Sequence, residues 1–99
     1  MSWRVAVLPA AEAELSEAAA WYAKDNPQAA KRFNDAYEAA LVTLAENPHQ
    51  YQIVDGDLRR APLARFPYGL LYWIEPNTVV IASCFHGRRD PERWRRLNP

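Results

Sequence analysis

Residues 68–85 read Tyr68-Gly69-Leu70-Leu71-Tyr72-Trp73-Ile74-Glu75-Pro76-Asn77-Thr78-Val79-Val80-Ile81-Ala82-Ser83-Cys84-Phe85. Two runs of β-branched, aliphatic and aromatic residues flank a Glu-Pro-Asn turn, the pattern of a tight antiparallel pair. The first run is apolar at both alternations, which predicts a central strand covered on both faces. The second, Thr78 to Phe85, is another buried strand. Upstream, Phe66-Pro67 makes a corner, and Leu58 to Leu63 reads as a third strand, demoted to an edge or bulged by Pro62. Within it Arg59 and Ala61 share one face, Arg60 and Pro62 the other. From His49 to Asp57 the pattern lapses into a loop, with Asp55-Gly56-Asp57 as its turn.

The first half is helical. Trp3-Arg4-Val5-Ala6-Val7-Leu8 is a short strand with Trp3, Val5 and Val7 on one face. Pro9 then opens a helix, where a missing N–H costs nothing. Glu12, Glu14 and Glu17 occupy its early turns, which the helix dipole favours. Ala11, Leu15, Ala18, Ala19 and Tyr22 form its buried stripe. Asn26 serves as N-cap and Pro27 as first residue of a second helix, which runs to about Glu46 before Asn47-Pro48 stops it. Its inner face carries Phe33, Tyr37, Ala40, Leu41 and Leu44. So short a connection makes the helices antiparallel neighbours. The predicted fold is α+β in the order β-α-α-β-β-β: a helical hairpin packed on a small, largely antiparallel sheet.

The 99 residues bound the chain to one domain, 1–99, which at this size buries roughly 60–70% of its unfolded surface. The single Cys84 excludes an internal disulfide and is expected as buried filler. No Cys/His spacing suits zinc, so neither metal nor cofactor is expected. No apolar run approaches a membrane span, and with the lone cysteine this favours the cytoplasm. Formal net charge is zero, which argues against non-specific nucleic-acid binding. The distribution is uneven. Residues 1–50 carry four basic and seven acidic groups, residues 51–99 eight arginines and five acids. Arginine suits bidentate pairing with carboxylate or phosphate, so the second half is the expected binding half and its partner anionic.

Within that half, His86-Gly87-Arg88-Arg89-Asp90 at the exit of the last strand is the leading cluster. Histidine titrates near neutral pH and arginine stabilises phosphoryl charge, so the cluster could bind an anion or move protons. The bland alternative is a solvated strand end with Arg89 and Asp90 paired, which contributes only about 0–1 kcal/mol. Arg59, Arg60 and Arg65 either serve a partner, with at most one of the adjacent pair pointing at the same partner as Arg65, or are charges that keep an edge strand from aggregating. Asp90-Pro91 could begin a short helix, with Trp94 docking on the domain or serving a partner as a hot spot. His49 reads as structural or exposed.

Three segments together carry a resemblance: Ala10-Ala11-Glu12-Ala13-Glu14-Leu15 leading to Trp21-Tyr22, then Arg65-Phe66-Pro67-Tyr68-Gly69-Leu70-Leu71-Tyr72, then His86-Gly87-Arg88-Arg89-Asp90-Pro91 with Trp94. In this order they resemble the RelE/ParE toxin superfamily over nearly the whole chain. The resemblance implies the toxin of a type II toxin–antitoxin pair, neutralised by a cognate antitoxin, with a role in plasmid stabilization. RelE-like members cut mRNA on the ribosome; ParE-like members poison DNA gyrase. Nuclease members typically place arginine where this chain has Gly69, and often a catalytic or stacking aromatic near the C-terminus, where this chain has Trp94 and no tyrosine. The likeness is therefore closer to the ParE side. It implies gyrase as target and Arg59, Arg60, Arg65, His86, Arg88, Arg89 and Trp94 as contacts for target or antitoxin. The alternatives are an endoribonuclease acting on ribosome and mRNA with His86, Arg65 and Arg89, and a non-toxic interaction module that keeps the fold.

Overall fold

The computed structural model describes residues 2–87. Strand β1 (Arg4–Val7) leads into helices α1 (Pro9–Asp25) and α2 (Pro27–Glu46). A 3₁₀ turn (Pro48–Gln50) follows, then β2 (Ile53–Asp55), β3 (Leu58–Pro62), β4 (Tyr68–Glu75) and β5 (Thr78–His86). The strands form one sheet in the order β1-β5-β4-β3-β2, antiparallel except for the β1–β5 pair. The hairpin of helices packs on one face, as expected.

One element departs from the expected order. Ile53–Asp55 is a strand within the segment read as loop, so the described residues form a five-stranded sheet in the order β-α-α-β-β-β-β. Three residues are too few to display a period of two, and Ile53 points outward, so nothing local marked the strand. Consequently β3 is not the sheet's edge. It lies between β4 and β2, but β2 pairs in register only with Leu58 and Arg59, and the Pro62 end has a partner on the β4 side alone. That is where a residue lacking an N–H can sit in a ladder.

The single-residue link between the helices works through Asn26, whose side-chain oxygen accepts from the Gln28 N–H at 2.9 Å, with Pro27 next. The helices and sheet enclose a core in which Ala11, Leu15, Ala18, Phe33 and Leu44 meet Leu70, Tyr72, Val79 and Ile81. Tyr37, Ala40 and Leu41 pack at its margin. Tyr72 is fully buried and its hydroxyl donates to the Pro48 carbonyl at 2.6 Å, tying the end of α2 to the sheet. Burial pushes the Tyr72 pKa up to about 12, although the nearby Arg59 guanidinium opposes the shift. A raised tyrosine pKa contributes stability that is complete below pH 10 and is lost as pH rises toward 12, because the unfolded chain ionises first. The expected result is that Tyr72→Phe weakens the fold by about 1–3 kcal/mol at neutral pH by orphaning the buried carbonyl. It should also flatten the decline in stability above pH 10. Denaturation curves across that range test both parts; an unchanged alkaline decline contradicts the assignment.

The arginine-bearing end of the sheet

The β3–β4 corner and the exit of β5 come together at one end of the sheet, and aromatic packing holds them there. Phe33 of α2 has its ring centroid 5.4 Å from Tyr22 of α1, 5.3 Å from Phe66 and 5.3 Å from Tyr68. Tyr22 also meets Phe66 edge-on at 5.2 Å. Offset and edge-to-face pairs such as these each add about 0.5–1.5 kcal/mol beyond simple burial. The corner is thereby clamped from beneath. Its residue Arg65 adopts a left-handed backbone with φ of 68°, a strained state for a side-chain-bearing residue. The conformation keeps Phe66 in the cluster while Arg65 stands exposed to solvent. The Leu63 N–H donates to the Tyr68 carbonyl at 2.9 Å and closes the corner, and the Gly87 N–H donates to Pro67 at 2.8 Å, fastening β5 to it.

Which face each cation occupies depends on β5. Ile81 pairs with Tyr72 and faces the helices, whereas the next pair is Ser83 with Leu71, leaving Ala82 as an extra residue. Such a bulge reverses the alternation beyond it. Cys84 and His86 therefore face the helix side, and Phe85 the opposite, outer side. The His86 ring lies edge-on to Tyr68 at 5.1 Å. Phe85 instead meets Arg60, whose guanidinium sits over the ring at 5.6 Å, a cation–π contact. Glycines make room for that contact: a Cβ on Gly69 would come within 3.2 Å of both Arg60 Nε and Phe85 Cε1, and one on Gly87 within 3.4 Å of Arg60 Nη2.

Glu14 secures the bulge. Its Oε1 accepts from Ser83 Oγ at 2.9 Å and from the Cys84 N–H at 3.1 Å. β1 pairs with β5 only as far as Ile81, so among the described residues no strand flanks this stretch of β5 on that side. In the sequence Glu14 reads as a dipole charge near a helix start; its partners lie 69 and 70 residues away, and no local signal marks them.

The expected site residues thus separate by face. Arg59 turns to the helix side and donates through Nη1 to the carbonyls of Tyr51 at 2.6 Å and His49 at 3.2 Å, which is a structural task. His49 is exposed, with its ring against Trp3 at 5.6 Å. Arg60 lies on the outer face, Arg65 at the corner, and His86, half-buried, on the helix side. Neither Arg60 nor Arg65 has a carboxylate partner among the described residues, where Lys31–Asp35 is the one ion pair. Arg88, Arg89 and Trp94, together with the helix start at Asp90-Pro91, lie outside the described residues. Cys84 is buried, as expected. Among the described residues no group of His, Cys, Asp or Glu could hold a metal ion, and no helix is long and apolar enough to cross a membrane. Two cations and an imidazole on a rigid end suit recognition of an anionic surface.

Comparison with known proteins agrees with this architecture. A family model described as ParE toxin of type II toxin–antitoxin system, parDE, matches residues 5–91. No curated protein matches. One similar solved structure is a chain of a chromosomal ParDE toxin–antitoxin system from P. aeruginosa, with a TM-score of 0.74 at 17% identity. That match covers 86% of this chain and 96% of the other.

Proposed function

Because the chain belongs to the ParE toxin family of type II toxin–antitoxin systems, we propose that it arrests growth by interfering with DNA gyrase and that a cognate antitoxin neutralises it. The observation that carries this reading is the packing at Gly69. The glycine occupies the position where nuclease relatives are expected to place arginine, and it is buried between Arg60 and the Phe85 ring. A Cβ there would press within 3.2 Å of the Phe85 ring, which is itself buried and would have to give by a few tenths of an ångström. The cations are instead dispersed over the corner and the outer face, a layout suited to contact with a large partner. For the antitoxin, an acidic segment complements the positive second half of the chain.

Purified toxin incubated with gyrase, ATP and supercoiled plasmid is expected to trap DNA double-strand breaks in a dose-dependent way. Absence of trapped breaks at any dose contradicts the proposal. Codon-positioned mRNA cuts that vanish in His86→Ala would instead assign a ribosome-dependent nuclease. Unaffected growth on induction of the gene alone would assign a non-toxic interaction module.

A further inference from the structure

Among the described residues three adopt a left-handed backbone: Gly56 with φ of 54°, Asn77 with 69° and Arg65 with 68°. Glycine has no Cβ to clash there, and asparagine enters the region several-fold more readily than most side chains. Arg65 fits neither case. It is the third residue of the turn that the Phe66 N–H closes onto the Leu63 carbonyl at 3.4 Å, where a positive φ favours glycine or asparagine. Nothing in the folded core explains the arginine, which is exposed and has no carboxylate or ring partner among the described residues. Backbone strain of this kind clusters at functional sites. A second exposed group shares the same support. Trp21, near the end of α1, is 60% exposed, the most of any large apolar side chain described. Its ring stands edge-on to Tyr22 at 5.2 Å, and Tyr22 stands edge-on to Phe66, the neighbour of Arg65, also at 5.2 Å. One aromatic cluster therefore carries both Trp21 and Arg65.

We propose that Trp21 and Arg65 form the patch by which the chain binds DNA gyrase, seated on a protein surface where an apolar recess adjoins a carboxylate. The inference rests on the gyrase reading above. Tryptophan and arginine are among the residue types that most often anchor protein interfaces. An exposed indole gains by entering an apolar recess, and a guanidinium fixed at a rigid corner suits a carboxylate, which it can bond through two parallel N–H groups. The end that carries them projects: residues 23–26 are exposed on the helical side, as are Ala64, Arg65 and Pro67 at the corner. A short antitoxin segment is held best in a groove or along a free strand edge. A projecting, internally braced end suits insertion into a recess of a large enzyme.

The test compares the full-length wild-type chain with Trp21→Ala and Arg65→Asn, measuring affinity for gyrase with and without plasmid DNA, and the dose that traps double-strand breaks. Both side chains are exposed and asparagine accepts a positive φ, so each variant is expected to melt within a few degrees of wild type. Each is expected to bind DNA-free gyrase roughly tenfold more weakly and to need roughly tenfold more toxin for the same breaks. Arg65→Lys, which keeps the charge but not the planar fork, should fall between. Wild-type affinity in either variant overturns the patch and leaves gyrase as the target. If the wild-type chain neither binds gyrase nor traps breaks, the gyrase reading and the patch fall together. A loss seen only when DNA is present would assign Arg65 to a phosphate, and a loss of self-association would assign the patch to a second copy; either result overturns the proposal.

Discussion

Replacing Phe33 with alanine should lower the unfolding free energy by about 3–5 kcal/mol, the cost of deleting a buried aromatic whose cavity cannot collapse. Phe33 is 0% exposed and is the ring on which Tyr22, Phe66 and Tyr68 converge, each with its centroid within 5.4 Å. A domain of this size has only about 5–15 kcal/mol to lose, so the variant should unfold at markedly lower urea. The damage should be local as well. Phe66 holds the corner that displays Arg65, and Tyr68 lies against His86 at 5.1 Å. Phe33→Leu, which keeps most of the volume, should cost under about 1.5 kcal/mol if the cavity is the cause. Equilibrium urea curves with an unchanged m-value measure both; a loss under about 1 kcal/mol for the alanine variant would show that the cluster does not anchor this end.

Glu14→Ala should cost about 2–3 kcal/mol, more than expected for an ordinary charge on a partly exposed helix face. Bonds to an ionised acceptor contribute about 1.5–3 kcal/mol, and removing the acceptor strands its donors. Here the donors are the Cys84 N–H and the hydroxyl of Ser83, which is 1% exposed. Glu14→Gln retains a neutral oxygen and should lose about half as much, since neutral bonds are roughly half as strong. Because Glu14 stabilises the β5 bulge, the alanine variant should also speed amide exchange at Cys84 and loosen the contact of His86 with Tyr68. Hydrogen exchange followed by magnetic resonance measures this. Wild-type exchange at Cys84 would refute the proposed role.

The elements that were legible share a physical cause: their signals are local. Asn26-Pro27 carries both an N-cap and a first-turn proline, and it marked the break between helices at the residue where it occurs. The apolar run in β4 predicted a central strand because residues on both faces were apolar, and β4 is the middle strand of the sheet. The separation of Arg59 from Arg60 followed from strand alternation alone, and the register places Arg59 beside Tyr72 and Arg60 beside Leu71. What escaped the sequence was short or distant. β2 has three residues, below the length at which alternation can be recognised. The partners of Glu14 lie in another element.

The end of β5 divides most clearly between the two sources. From the sequence alone came a strand from Thr78 to Phe85, an arginine-rich exit beginning at His86, and glycines at 69 and 87. Uninterrupted alternation from Val79 and Ile81 would send Phe85 into the helical core and turn His86 outward beside Arg60. The bulge at Ala82 does the reverse, putting Phe85 beneath Arg60 and His86 against Tyr68. One extra residue in a period of two flips every side chain after it. Its position is stabilised by a carboxylate from α1, a contact between elements nearly seventy residues apart that exists only once the helical hairpin has packed on the sheet.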